Sequence, residues 1–299
     1  MTENKVKNVI MPEEWFNVLP RRQYSFFIRT ESADSWFSVY RIKPDIYAIY
    51  EDGHFQEVIS YLITGTESAL LLDTGLGIGD IKKVVESLYQ GKIQVTHTHS
   101  HFDHIGGDWQ FEEVYVPDHP VAVNRARRGL DHEEVKDNME AGSNWKPYPV
   151  GFDSNSYLIR PAKSFQTVKE GFVFDLGNIK LEVLETPGHS PDSLMYADHE
   201  NKILFTGDTF YPATLYAHIE HSDGSDSSFE TYRKTMHRIA EQYSDYTLIT
   251  SHNEPFRPGI ELLKVAEAFD EIDEGSLTYI TDDKGLKKYE FEDFAIVTK

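Results

Sequence analysis

The sequence of 299 residues contains no cysteine. Disulfide bonds and thiolate metal ligands are therefore excluded, and any metal would be held by histidine or carboxylate. No apolar run approaches the ~20 residues that a membrane-spanning helix needs. The N-terminus, Met1–Lys5, lacks the basic segment and apolar stretch of a signal peptide. We therefore expect a cytoplasmic protein with no membrane partner.

Positive charge is also scarce, because 29 Lys and Arg residues stand against 50 Asp and Glu residues, for a net charge of −21. A surface this acidic repels phosphate backbones, so we expect a small-molecule substrate and no nucleic-acid partner. The one basic cluster is Arg125, Arg127 and Arg128. We interpret it as the exposed face of a helix rather than an anion site.

Short apolar or alternating segments alternate with amphipathic ones along the chain. Asp80, Ser227-Ser228 and Pro258 are each suited to begin a helix. The predicted strands are Ile46–Tyr50, Val58–Thr64, Ala69–Asp73, Ile93–Thr96, Val114–Val116, Ile179–Glu185, Leu194–Ala197, Ile203–Thr206 and Thr247–Thr250.

We expect a single domain over residues 1–299, since no repeat or flexible linker divides the chain. An aromatic N-terminal extension, 1–44, is predicted to pack over the rim of the site or across a homodimer interface. A core over 45–262 carries an insertion at 124–171. The C-terminal tail, 263–299, contains a predicted hairpin with strands Leu277–Thr281 and Lys287–Phe291, turning near Asp283-Lys284-Gly285.

The segment from Thr98 to Gly107 concentrates metal-ligand chemistry. His99 and His101 alternate at the period of a strand and can point the same way. Asp103 and His104 then turn off that line toward a second position. Buried imidazole and carboxylate groups need partners, and divalent metals accept both as ligands. A solvated polar loop is the simpler alternative, but the pattern predicts a site for two metals.

Further segments extend the pattern, and together they resemble the metallo-β-lactamase superfamily, in particular its lactonase and glyoxalase II-like branch. The resemblance runs from about Ile46 to about His252. The segments that carry it are Leu70-Leu71-Leu72-Asp73-Thr74-Gly75, His99 to His104, Thr186-Pro187-Gly188-His189-Ser190, Thr206-Gly207-Asp208 and Ser251-His252-Asn253.

The resemblance implies an α+β fold, a four-layer αββα sandwich, whereas periodicity alone indicates only alternating strands and helices. It also implies two divalent ions, with zinc favoured and iron or manganese as alternatives. Its ligand set in this sequence is His99, His101 and His189 for the first ion, Asp103, His104 and His252 for the second, and Asp208 bridging both.

The implied reaction is hydrolysis of a small ester, lactone or thioester by a hydroxide held between the ions. Asp103 is the candidate general base. Tyr211 stands three residues after Asp208, as in the quorum-quenching lactonases, and is the candidate contact to the substrate oxygen; packing is its alternative role. Asp73 is predicted either to orient a ligand imidazole or to cap the turn at Thr74-Gly75.

The alternative function is a non-haem iron oxidoreductase resembling the persulfide dioxygenases, in which a single iron would use two histidines and a carboxylate. Other histidines are given lesser roles. His97 and His54 are interpreted as structural, although His54 is also suited to lie over the rim of the metal site.

Overall fold

Two β-sheets packed face to face form the centre of this computed structural model, which describes residues 5–6, 15–221, 223–282 and 284–299. The strands, in chain order, are β1 (Lys5–Val6), β2 (Ile28–Thr30), β3 (Ser38–Lys43), β4 (Ile46–Tyr50), β5 (Ile59–Thr64), β6 (Ala69–Leu72), β7 (Ile93–Thr96), β8 (Val114–Pro117), β9 (Phe165–Val168), β10 (Val173–Asp175), β11 (Lys180–Glu185), β12 (Leu194–Asp198), β13 (Ile203–Phe205), β14 (Thr214–Tyr216), β15 (Thr247–Ile249), β16 (Phe256–Pro258), β17 (Ile280–Asp282), β18 (Lys287–Glu290) and β19 (Ala295–Thr298).

Within the described residues these strands form three sheets. The first sheet has eight strands in the order β2-β3-β4-β5-β6-β7-β8-β9. The second has six in the order β10-β11-β12-β13-β15-β16, and the third has five in the order β1-β17-β18-β19-β14. Strands β6 and β7 are parallel, as are β13 and β15, so their carboxyl ends lie at one edge of their sheets.

Helices cover the outer faces of the first two sheets. Their bounds are α1 (Ile81–Leu88), α2 (Phe102–Ile105), α3 (Pro120–Arg128), α4 (His132–Val135), α5 (Phe229–Tyr243) and α6 (Glu261–Asp273). Apolar side chains of α1 and α3 share a buried cluster with the first sheet, and those of α5 and α6 share one with the second. The αββα sandwich is therefore confirmed.

The continuous apolar run of β6 reflects burial on both of its faces. Leu70 and Leu72 point into the cluster between the two sheets, where they meet Leu181 and Val183. Leu71 points the other way, into the cluster beneath α1. Because successive side chains of a strand face opposite layers, each must be apolar in a four-layer fold.

The three predicted helices are present. The Asp80 carboxylate accepts a hydrogen bond from the Lys83 backbone N–H at 2.9 Å, and Ser228 caps α5 in the same way. The third helix, predicted to begin near Pro258, begins at Glu261, because Pro258 ends β16 and a turn follows.

Segments expected outside the core contribute strands to the sheets. The N-terminal extension supplies β2 and β3 to the first sheet, and the insertion ends in β9 at the opposite edge of that sheet. The C-terminal hairpin forms from β17 and β18, and β14 and β19 extend it into the third sheet. Residues 1–4 and 7–14 of the extension, and Asp283 of the predicted turn, lie outside the described residues. No helix in the described part of the chain is long and apolar enough to cross a bilayer.

Candidate metal centre

All seven predicted ligands lie together at the edge where the parallel strands end, and each is at most 8% exposed. His99 and His101 lie in the loop after β7, and Asp103 and His104 lie in α2. The other three follow or precede strands of the second sheet: His189 between β11 and β12, Asp208 after β13, and His252 between β15 and β16. The sandwich thus brings together residues that are separated by up to about half of the chain.

Three imidazoles converge in the first cluster, His99, His101 and His189. His101 Nδ1 lies 3.0 Å from His99 Nε2 and 3.0 Å from His189 Nε2. Burial lowers the pKa of all three, that of His189 to about 4, so the rings are neutral. A neutral ring nitrogen has one lone pair and accepts only one hydrogen bond, so protons cannot satisfy both contacts. A cation at the centre of the three rings would satisfy both contacts, because it can bind a lone pair from each ring.

The second cluster is Asp103, His104 and His252. Asp103 Oδ2 lies 3.7 Å from His104 Nε2 and 3.8 Å from His252 Nε2. Both Nε2 atoms are buried, and the groups that approach them are carboxylates, those of Asp103 and of Asp208. A divalent cation between them would accept the lone pairs of both the imidazole nitrogens and the carboxylate oxygens.

Asp208 lies between the clusters and faces each with a different oxygen. Its Oδ2 is 3.5 Å from His189 Nε2 and 4.0 Å from His99 Nε2. Its Oδ1 is 2.9 Å from His252 Nε2 and 3.3 Å from His104 Nε2. The ligand atoms of each cluster lie within 4.8 Å of one another. This set of imidazole nitrogens and carboxylate oxygens fits divalent metal binding.

The comparisons with known proteins agree with this geometry. The family model of the metallo-β-lactamase superfamily matches residues 56–252. The chain belongs to this superfamily. It is a hydrolase of this fold, and relatives named as thioesterases are among the proteins that it resembles.

Two of those relatives are acyl-coenzyme A thioesterases named MBLAC2. The protein of Gallus gallus is 30% identical over 208 residues, which cover 65% of this chain and 73% of that protein. The protein of Homo sapiens is 28% identical over 226 residues, covering 70% and 77%.

Solved structures at lower identity share the fold. The DIM-1 metallo-β-lactamase has a TM-score of 0.53 at 16% identity and covers 82% of this chain and 100% of that one. The sec-alkylsulfatase Pisa1 of Pseudomonas sp. has a TM-score of 0.57 at 16% identity, covering 80% and 42%.

Two neighbours orient the imidazoles of the second cluster in this metallo-β-lactamase fold. His104 Nδ1 donates to Asp73 Oδ2 at 2.9 Å, and the Thr98 backbone N–H donates to Asp73 Oδ1 at 2.7 Å. His252 Nδ1 donates to the Gln56 carbonyl at 2.6 Å. With Nδ1 protonated, Nε2 presents its lone pair to the cluster. Of the two roles predicted for Asp73, the structure shows the contact to a ligand imidazole.

Tyr211 lies beside the site without facing it. Its ring centroid is 4.8 Å from that of His252, but its hydroxyl donates to the Thr214 carbonyl. Another tyrosine, Tyr216, lines the cavity that opens on the cluster. No sequence signal marked Tyr216, since it lies eight residues after Asp208 in an ordinary strand. The catalytic role of Tyr211 stays a prediction.

His54 and His97 make structural contacts. His54 is buried, and its Nε2 donates to the Asn138 carbonyl at 2.8 Å, away from the ligand atoms. Burial lowers the pKa of His54 to about 4. His97 Nε2 lies 3.0 Å from Asp108 Oδ2, behind the metal ligands.

A cavity of about 540 Å³ opens on His101, Asp103, His189 and Asp208. Arg125 forms part of its wall, so the prediction of an exposed helix face is wrong for this residue, which is 3% exposed. Its guanidinium donates to the Ser100 carbonyl at 2.9 Å, and it also pairs with Asp223. The periodicity of α3 did not reveal this role, because the partners lie up to about 100 residues away. Arg127 and Arg128 are exposed as predicted.

Proposed function

We propose that this hydrolase cleaves small thioesters with two divalent ions, most simply Zn²⁺. The ions would be held by the two clusters, with Asp208 as the shared ligand. Oxygen esters and lactones are the neighbouring substrate classes, since the same attack on a carbonyl carbon serves all three.

The observation that carries the two-ion assignment is the position of Asp208. Its two oxygens face different clusters at 2.9 to 4.0 Å from four imidazole nitrogens. If Asp208 served only the second cluster, the three histidines of the first cluster would have no carboxylate partner among the described residues. The arrangement therefore supports one ion on each side.

Bound divalent ions would lower the pKa of water and polarise the carbonyl oxygen of the substrate. Asp103, a buried member of the second cluster, would accept the proton of the attacking water. Asp73 and the Gln56 carbonyl fix the rings of His104 and His252, so the second cluster needs little rearrangement during the reaction. The chain contains no cysteine, so a thiol nucleophile of its own is excluded.

The choice of thioesters is supported by the MBLAC2 relatives, whose name describes cleavage of acyl-coenzyme A thioesters. The cavity supports it further, because apolar side chains of Leu130, Val135 and Ile219 line it near the ligands. An acyl group can be buried against such a wall.

The test combines metal analysis of the purified protein with a panel of matched substrates. The panel contains a thioester and an oxygen ester of the same acyl group, a lactone with the same number of carbons and, for contrast, a phosphodiester. We expect two divalent ions per chain and the highest kcat/KM for the thioester, with loss of activity after chelation. One iron per chain, with oxygen consumption and no hydrolysis, would instead support the iron oxidoreductase.

A further inference from the structure

The wall of the cavity beside the metal centre is apolar, whereas its mouth carries charge. Leu130 and Val135 are buried, and Ile219 lies opposite them on the segment after β14. A volume of about 540 Å³ holds a small substrate. The apolar wall suits the acyl half of a thioester, so the leaving thiol must pass the mouth.

The cations near this mouth are already paired. Arg125 is the one cation among the described residues that line the cavity, and its guanidinium bonds Asp223 at 2.9 Å. Arg128 pairs with both carboxylate oxygens of Glu134, at 2.6 and 2.8 Å. Lys136 pairs with Glu133 at 2.5 Å. An incoming phosphate would have to displace a carboxylate from each.

Carboxylates themselves form the outer part of the mouth. Asp131, Glu133 and Glu220 are exposed and line the cavity, although Glu133 pairs with Lys136 and Glu220 pairs with Lys299. The Asp131 carboxylate accepts a hydrogen bond from the Glu134 backbone N–H at 3.1 Å, a contact that leaves its charge in place. The chain as a whole carries a net charge of −21. A polyanion therefore meets repulsion at long range, and at short range the Lys and Arg side chains that the structure describes near the mouth are paired with carboxylates.

We propose that the preferred substrate is a thioester of an uncharged thiol, and that this protein discriminates against coenzyme A thioesters through the acidic mouth of its cavity. The proposal rests on the proposed thioesterase function. In the reaction, the water oxygen bonds to the carbonyl carbon, the carbon–sulfur bond breaks, and the sulfur leaves with the electron pair and takes up a proton. The products are a carboxylic acid and a neutral thiol.

A matched pair of substrates tests the role of charge. Butyryl-pantetheine and butyryl-coenzyme A have the same acyl group, the same reacting bond and the same pantetheine arm, and differ only in the phosphorylated nucleotide. At low ionic strength we expect kcat/KM to be about ten-fold or more higher for butyryl-pantetheine. Because salt screens charges in solvent, about 0.5 M NaCl should reduce the ratio to within about three-fold.

A pair of variants tests whether the discrimination against coenzyme A arises at the mouth of the cavity. Glu133→Gln removes one carboxylate from the mouth and releases Lys136, so the pantetheine-to-coenzyme A ratio should fall by about three-fold at low salt. Glu200→Gln removes the same charge from the turn between β12 and β13, at the opposite end of the second sheet from Asp208, and the ratio should not change.

The outcomes separate the two proposals. A kcat/KM for butyryl-coenzyme A equal to or above that for butyryl-pantetheine at low salt overturns the inference and leaves the thioesterase function intact. A preference for butyryl-pantetheine that salt does not reduce overturns the role of charge. If the protein with both metals bound cleaves neither thioester but cleaves a lactone or an oxygen ester, the thioesterase function fails, and the inference fails with it.

Discussion

The two metal clusters are built from similar ligands but are supported differently. In the second cluster, His104 donates to a carboxylate and His252 donates to a backbone carbonyl. In the first, His99 Nδ1 lies 3.1 Å from the Thr98 hydroxyl oxygen, but His101 Nε2 is buried without a hydrogen-bond partner among the described residues. Partners of this kind fix the tautomer and the ring orientation, so the second cluster is the better preorganised.

The charged groups around the two clusters also favour the second cluster as a cation site. Burial lowers the pKa of the histidines in the first cluster. Burial would also lower the pKa of His104, but Asp103, Asp208 and Asp73 outweigh it and raise that pKa. The second cluster therefore concentrates the negative charge that favours a cation. The comparison shows that the Asp208 carboxylate lies between a cluster whose imidazoles are well held by neighbouring groups and a cluster whose imidazoles are less well held.

Described residues of the N-terminal extension support the second cluster. The Arg21 guanidinium donates to Glu57 at 2.8 Å, next to the Gln56 carbonyl that holds His252. On the other side of His252, Gln23 exchanges hydrogen bonds with the Phe256 backbone at 2.8 and 3.0 Å. Residues predicted to pack near the rim therefore hold the loop of one ligand. The homodimer interface stays a prediction.

The largest effect is expected at the residue that both clusters share. Asp208→Ala should remove both ions and lower activity by about 10³-fold or more, because the charge between the clusters is lost. Metal analysis alongside kcat/KM measures this. Retention of one tightly bound ion would show that Asp208 serves a single cluster.

Asp103→Asn should affect the second cluster alone. The amide keeps an oxygen ligand but loses the charge that accepts a proton, so hydrolysis should fall by about 10²-fold. The ion of the first cluster should be retained. Near-normal turnover with both ions bound would show that Asp103 acts only as a metal ligand and not as the general base.

Arg21→Gln tests whether the N-terminal extension supports one cluster. Loss of the ion pair to Glu57 should loosen the loop that holds His252, so the Kd of one ion should rise by about ten-fold while the other is unchanged. Arg22→Gln is the matched control, since it makes the same change at an exposed neighbour. Equal weakening of both ions in Arg21→Gln would contradict the selective role.

Tyr211→Phe should have a small effect. The hydroxyl is engaged by the Thr214 carbonyl, and the phenylalanine ring can keep the contact with His252. We expect kcat to change by less than about three-fold. A fall of about 30-fold or more, with metal content unchanged, would restore the predicted contact to the substrate oxygen.

The smallest effect concerns pH and the loop that contains Gln56. The Gln56 backbone N–H donates to His54 Nδ1 at 3.3 Å, so His54 must stay neutral. Its pKa is about 4 in the folded state and about 6.5 when unfolded, so the unfolded chain binds a proton first. His54 therefore contributes stability above about pH 6.5 that is lost as the pH falls towards 4.

Urea unfolding at several pH values should show that His54→Gln flattens this part of the profile. An unchanged slope between pH 6.5 and pH 4 would mean that other groups produce it.

The local sequence determined the helix starts, the apolar strands and the identity of the ligand types. Asp80 caps α1 because a carboxylate beside free backbone N–H groups needs no distant partner, and β6 is apolar because both of its faces are buried. The order and spacing of the histidine motif are also local features of the sequence, and they indicated a site for two metals.

Only the tertiary structure decided which partner supports each ligand. Gln56 and His252 lie about 200 residues apart, and Arg125 pairs with Asp223 across about 100. Neither pairing leaves a periodic signal, because each depends on how loops from different sheets meet at one edge. The same is true of Tyr211: its spacing from Asp208 is local, but the direction of its hydroxyl depends on the turn that precedes β14.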